Sequence, residues 1–365
     1  MLLITFHGSS LPANVFAYDT TTGTLLTGTA LAIPPGGSLS ELRSMVLANG
    51  NLYVANGAKS ISTILCYAVP ASGSAFSFVS TVIGPTLSKK LHFETSIAHP
   101  FGIAFDGADT CYVSNQDTNV VAQVNLTSSG QTGTLGTGCQ SAYLNKLFPS
   151  PAVFLDGTYV ASQTGALDDV DVTATSVLLV DGGLKATGTT DGGTLKVQNS
   201  VRDVAVANGI LFVCDEPDSQ VNLYSLADGT FLGSSSALPD KNNPTHLAIQ
   251  NGGLYVSAGS GLYWVQLPAS VSQVSSGCPL SLSQVAVTPP ANNKIGGISF
   301  ANGSSGVTVY VPFQEGTGAA VGGSIVTYTV TQSSPSVMPV FSNETQFVPI
   351  GTFTDTPEFV LYVAD

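Results

Sequence analysis

Residues Pro100 to Asn125 read PFGIAFDGADTCYVSNQDTNVVAQVN. An apolar run leads into an Asp-Gly turn, a second run passes through Tyr112-Val113 to a polar tip at Asn115, and a third run follows. Asn, Asp and Gly tolerate the positive φ that tight hairpin turns demand, and β-branched or aromatic residues flank them, so the stretch reads as three antiparallel strands. The same grammar recurs in RSMVLANGNLYVANG from Arg43, VRDVAVANGILFVCDE from Val201, PTHLAIQNGGLYVSAG from Pro244 and GGISFANGSSGVTVYVPF from Gly296, and more weakly in PAVFLDGTYVASQ from Pro151 to Gln163.

Second strands begin near Leu2, Leu52, Cys111, Thr158, Leu211, Leu254 and Val307, a mean spacing of about 51 residues. The N-terminus supplies LLITFHG and NVFAYD, which match the second and third strands of a unit without its first strand, and PEFVLYVAD at the C-terminus looks like that strand. Helical periodicity is nowhere sustained. These features predict an all-β fold: a single-domain β-propeller over residues 1–365, seven-bladed with six blades as the alternative, closed by the C-terminal strand pairing with the N-terminal ones. Closure removes sheet edges that would otherwise aggregate.

Composition narrows the function. Only 9% of the 365 residues are charged, against roughly 25% in ordinary domains. With 10 Lys+Arg against 23 Asp+Glu, the net charge is -13 and no basic stripe can be assembled, so nucleic acid is not an expected partner. No apolar stretch reaches the length of a membrane span. The charge-poor, Gly/Ser/Thr-rich chain reads as secreted or lumenal in the secretory pathway, and sequons at Asn125, Asn302 and Asn343 point to a glycoprotein. The opening MLLITFHG has no basic n-region and too short an apolar run for a signal peptide, so the expectation is that a leader has been removed or that none existed. Five cysteines without CxxC spacing argue against zinc. Cys66, Cys111 and Cys214 read as buried small hydrophobes, and Cys139 with Cys278 is the pair considered for a disulfide.

Propeller sites sit at the mouth of the central channel, where first strands enter and second strands end. The aligned tips are His7, Asn56, Asn115, Ser162, Asp215, Ala258 and Phe313, and the aligned entries are Ser44, Phe101, Pro151, Arg202, Thr245, Gly296 and Glu358, followed by Asp203 and His246. Asn and Asp at such tips serve plain turn chemistry as readily as binding. Both arginines of the chain, Arg43 and Arg202, fall at entries, where each could hold a polarised oxygen or form a salt bridge between blades. His99, in a segment leading into a first strand, reads as an acid or base, or as a turn cap. Hairpin turns are expected at Asp181-Gly182-Gly183 and Asp191-Gly192-Gly193.

The repeats resemble the NHL and YVTN type of propeller, which implies the fold more than a function. In size, low charge and loop style the chain also resembles secreted fungal propellers of secondary metabolism, among them the hetero-Diels-Alderases of tropolone sesquiterpenoid biosynthesis. That resemblance implies a cofactor-independent pericyclase joining an ortho-quinone methide to a terpene alkene, two apolar partners brought together by proximity and desolvation. On this reading Arg202, His246 and His99 are the catalytic donors, no metal is bound, and Phe101, Asn115, Asp215, Thr245, Phe313 and Glu358 surround an apolar small-molecule substrate. Trp264 is a further apolar wall or a core residue. A second resemblance, to metal-dependent gluconolactonases, implies a divalent cation such as Ca2+ held through Glu358, which an arginine at a neighbouring entry opposes. The third alternative is a lectin-like binding protein without chemistry. Substrate identity and oligomeric state stay open.

Overall fold

The hairpins form as their turn residues dictate. In the computed structural model Asn49-Gly50, Asn208-Gly209 and Asn251-Gly252 all have positive φ at both positions, the mirror-image turn whose twist matches the strands it joins. The structure describes residues 1–135 and 201–364, apart from 9–10, 58–60, 85–96, 98, 108, 117–119, 217–218, 228–230, 240–241, 275–279, 290–292, 305, 315–322 and 350–352. Between 136 and 200 it describes four short strands. There Leu178–Val180 pairs with Gly183–Lys185 and Thr189–Thr190 with Gly193–Thr194, the hairpins expected around the two Asp-Gly-Gly strings.

Six four-stranded antiparallel sheets follow one another as blades. Blade I joins the C-terminal strand Thr356–Tyr362 to Leu2–His7, Phe16–Tyr18 and Leu25–Thr27, so the C-terminal strand pairs with the N-terminal one. Blade II begins with Leu42–Ala48, blade III with Pro100–Asp106, blade IV with Val201–Ala207, blade V with Pro244–Gln250 and blade VI with Ser299–Gly303. Middle strands are sandwiched between neighbouring sheets, so they read as continuous apolar runs. Ile210–Asp215 and Gly253–Ala258 are buried at every residue, whereas the outer strand Val340–Val348 is largely exposed.

Seven blades give way to six. Apolar clusters lie between I and II (Leu3 with Leu52), II and III (Ile64 with Val113), III and IV (Tyr112 with Leu211), IV and V (Phe212 with Val256), V and VI (Tyr255 with Val309), and VI and I (Tyr310 with Phe16). Blade III therefore packs directly on blade IV. Gly102 marks the closest approach: a Cβ there would lie 2.2 Å from an Asp203 carboxylate oxygen and 2.8 Å from its Cα, leaving no space for another inner strand. The connection from III to IV spans residues 136–200, whereas the other five connections run from 349–355 at the shortest to 84–99 at the longest. The weak cassette Pro151 to Gln163 falls in that insertion, outside the described residues.

Cys66, Cys111 and Cys214 are free and buried, as read from their strand positions. Burial pushes the Cys111 thiol up to about 12, which keeps it protonated and inert. Cys139 and Cys278 lie outside the described residues. The sequon asparagines Asn125, Asn302 and Asn343 are exposed.

Candidate functional site at the channel mouth

One irregularity, repeated in each blade, builds the mouth. The inner strand pairs its first residue with the tip of the second strand, as Leu42 with Asn56, Pro100 with Asn115, Val201 with Asp215, Pro244 with Ala258 and Thr356 with His7. Immediately afterwards the register slips by one residue: Met45 pairs with Val54, Ile103 with Val113, Val204 with Val213, His246 with Ser257, and Phe359 with Thr5. In blade VI the slip falls between the Ile295 bridge to Phe313 and the pairing of Ser299 with Tyr310. A bulge bends its strand and re-aims the side chains within it. The first residues in these bulges are Arg43, Phe101, Arg202, Thr245, Gly296 and Glu358. Blade II therefore contributes Arg43 to the set, one position before the Ser44 of the sequence alignment.

These residues meet. Phe101, 1% exposed, lies beneath both guanidinium groups, with Arg43 Cζ 5.5 Å and Arg202 Cζ 5.2 Å from its ring centroid. His246 and Phe359 pack on the same ring at 5.5 and 5.4 Å and on each other at 4.5 Å, an aromatic plug across the channel. Around it lie the charges. Arg43 donates to Glu358 at 3.0 Å and to Glu41 at 3.3 Å, Arg202 Nε donates to Glu216 at 2.8 Å, and His99 Nε2 is 3.4 Å from Glu41. Each arginine thus has a carboxylate partner, and that of Arg202 is Glu216 rather than Asp203, Asp215 or Glu358.

Two histidines flank Glu358 in opposite environments. His246 Nε2 is 3.7 Å from one carboxylate oxygen with its side chain 2% exposed, and His7 Nδ1 is 3.8 Å from the other with its side chain 57% exposed. Desolvation holds His246 down to about 4 against the pull of Glu358, so the ring is neutral at physiological pH. Thr245 Oγ1 lies 2.9 Å from His246 Nδ1 and 3.3 Å from the Ser257 carbonyl, so the hydroxyl anchors one side of the neutral ring. His246 is therefore an aromatic packing group in the third position of its strand, where sequence reading expected a strand end and a catalytic donor. Asp203, fully buried, accepts from the Val204 and Leu247 amides at 2.9 Å each and ties blade IV to blade V; burial raises its carboxyl to about 7.

The other expected site residues serve the scaffold. Asn115 Nδ2 donates to the Val113 carbonyl, and Asp215 accepts from Asn222 Nδ2 at 2.7 Å, both inside the protein. The Asn56 side chain clamps the segment that leads into the first strand of blade II, accepting from Ser40 N and donating to Ser38 O. Phe313 is fully buried and packs with Trp264 between blades V and VI. With Phe101 plugging the channel and Phe313 in the core, neither forms a wall of an open apolar cleft, which the cycloaddition reading requires. The sequence reading left out Glu41, Glu216 and Phe359, and placed His7 among the tips without a role. The register of the C-terminal strand against Leu2–His7 is the signal that brings His7 to Glu358.

A divalent ion does not fit these residues. Glu358 is engaged by the Arg43 guanidinium, whose charge opposes a cation there, and among the described residues no three His, Cys, Asp or Glu side chains cluster as a metal site.

No protein-family model and no curated protein matches the sequence. Solved structures do. A protein from Lactobacillus plantarum superposes with a TM-score of 0.52 at 13% identity, over 94% of this chain and 81% of that one. A protein from Bacteroides fragilis, provisionally named a 6-phosphogluconolactonase, superposes with a TM-score of 0.52 at 11% identity over the same shares. What is shared is the propeller fold.

Proposed function

We propose that the channel mouth opens a small uncharged lactone by attack of water, with His7 as general base. The observation that carries this is the exposed His7 imidazole beside a Glu358 carboxylate whose Oε2, the oxygen nearest His7, is held in place by Arg43. A carboxylate behind an imidazole orients the ring, the logic common to hydrolytic dyads and triads. The Nδ1 face of His7 is turned to Glu358, leaving Nε2 for the water.

In the step, the water oxygen bonds to the lactone carbonyl carbon as His7 takes a water proton. The ring C–O bond then breaks, and the departing alkoxide recovers that proton from His7. The product is the open hydroxy acid, with nothing oxidised or reduced. Arg202, its side chain 21% exposed, is the guanidinium closer to solvent and would donate to the developing oxyanion.

The provisional name of the Bacteroides fragilis propeller points toward lactones. The charges point away from a phosphorylated one. Arg43 and Arg202 are already neutralised by Glu358, Glu41 and Glu216, so a phosphate would have to displace a carboxylate at 2.8–3.3 Å.

The test is His7→Gln, which keeps a polar side chain but cannot take the proton. The expected loss in kcat on glucono-δ-lactone is about 100-fold or more, the usual worth of a positioned base. Unchanged turnover would remove His7 from the chemistry and the proposal with it.

A further inference from the structure

A second feature lies on the opposite end of the propeller. Gln250 closes the inner strand of blade V, six residues and about 20 Å along from its entry at Pro244. There a cleft of about 300 Å³ opens between blades V and VI, lined by Gln250, Asn251, Tyr255, Val307, Val330 and Gln332 among others. Two amide pairs bridge the blades and fix this rim: Gln250 Nε2 donates to Asn302 Oδ1 at 2.7 Å, and Asn251 Nδ2 to Gln332 Oε1 at 2.9 Å.

Tyr255 stands out among the residues of this lining. It is 1% exposed, its ring packed against Phe300 at 4.8 Å, and its buried hydroxyl has no hydrogen-bond partner among the described residues. Leaving a buried donor unpaired costs about 1–3 kcal/mol, a penalty that a phenylalanine at the same place would avoid. Tyr255 lines the cleft, and a ligand hydroxyl that reaches this group from it would satisfy it. Burial raises this hydroxyl to about 12, so it stays a donor throughout the physiological range.

We propose that this cleft is a second binding site, independent of the channel mouth, for a small uncharged hydroxylated molecule of the size of one sugar ring, anchored by the Tyr255 hydroxyl. The lining sets the chemistry. No charged side chain lines it, so an ion would be desolvated without a counter-charge. Primary amides offer both a donor and an acceptor, matching ligand hydroxyls that need both. Val307 and Val330 offer an apolar wall to the C–H face of a ring. The volume lies at the small end of the roughly 300–1,000 Å³ typical of ligand pockets, which favours a monosaccharide over a longer chain.

The experiment titrates glucose, galactose, mannose and N-acetylglucosamine into the protein, followed by saturation-transfer NMR, with wild type, Tyr255→Phe, Gln332→Ala and His7→Gln in parallel. At least one sugar is expected to bind wild type at millimolar concentration or better. Tyr255→Phe, which keeps the ring and its packing, should weaken it roughly 10-fold, the worth of one hydrogen bond to a desolvated group. Gln332→Ala on the exposed rim should weaken it as well, and His7→Gln should leave it unchanged. Absence of binding by all four sugars would overturn the proposal. So would binding that Tyr255→Phe and Gln332→Ala leave intact, or that only His7→Gln abolishes, which would place the sugar at the mouth.

Discussion

Arg43→Met removes one partner of the ion pair that joins blade II to the closing strand of blade I. The Arg43 and Glu358 side chains are 4% and 8% exposed and 3.0 Å apart, so the substitution strands a buried carboxylate. Losing one partner of a buried pair costs about 3–5 kcal/mol, a large part of the roughly 5–15 kcal/mol that holds a domain folded. The loss of the guanidinium over Phe101 adds a smaller amount. The cost should depend on pH. Arg43 helps hold His246 down, so in its absence His246 charges more readily on acidification and restores a cation beside Glu358. The expected destabilisation is therefore greater at pH 8 than at pH 5. Urea unfolding followed by the fluorescence of the single tryptophan, Trp264, buried in blade V, measures it. The double variant Arg43→Met/Glu358→Gln leaves no uncompensated charge and should recover most of the loss. A cost below about 1 kcal/mol at pH 8, the value of a surface pair, or a double variant no better than the single one, would refute the reasoning.

The remaining predictions concern the contacts between blades. Asp203 binds its proton more tightly folded than unfolded, since burial raises its carboxyl to about 7 from an ordinary value near 4. Its contribution to stability is thus fully present below about pH 4 and is lost as pH rises through 7, on the order of 4 kcal/mol in all, and Asp203→Asn should flatten that limb in unfolding curves between pH 4 and 8; a limb that survives the substitution assigns it to another group. Gly102→Ala drives a methyl into the Asp203 backbone and should lower the melting temperature by about 1–4 °C, the shift that the roughly 1–3 kcal/mol cost of an overpacked contact gives in a chain of this length; an unchanged melting temperature would mean that blades III and IV are not in direct contact. Replacing residues 141–195 with a short Gly/Ser linker should leave a ring that still unfolds cooperatively with the melting temperature nearly intact, because the clusters among the described residues already join each blade to the next; a chain that no longer folds would return the segment to the ring as a blade.

The sequence carried the fold in its turns. Asn49-Gly50, Asn208-Gly209 and Asn251-Gly252 are local signals, and local backbone chemistry decides them, so strand identity and the alignment of tips with entries were readable. Each described tip pairs with a residue one or two positions before its aligned entry, and the entries fall in the bulges that follow, Arg43 taking the place of Ser44 in blade II. Blade number was not local. A cassette at Pro151 with the right grammar counted as a blade, whereas blade membership depends on which inner strand lies beside which, a contact that Gly102 and Asp203 make across about 100 residues of chain. The mouth was half legible for the same reason. Arg202 and Glu358 stood out by scarcity of charge and by repeat position, but a one-residue bulge decides which side chain turns into the channel, and nothing in VRDV or PTHL announces it. Burial then reversed the roles of the histidines: His246 is neutralised within the plug while His7, at the end of a strand, keeps an exposed ring beside the same carboxylate.

The most direct test of a mouth whose arginines are already paired is the ratio of kcat/KM for glucono-δ-lactone to that for its 6-phosphate, measured with chelator present. The arrangement of Arg43, Arg202, His7 and Glu358 predicts turnover of the uncharged lactone above the buffer rate, a ratio above one, and no effect of chelator. A preference for the phosphorylated substrate, or no lactone opening above buffer, would contradict it.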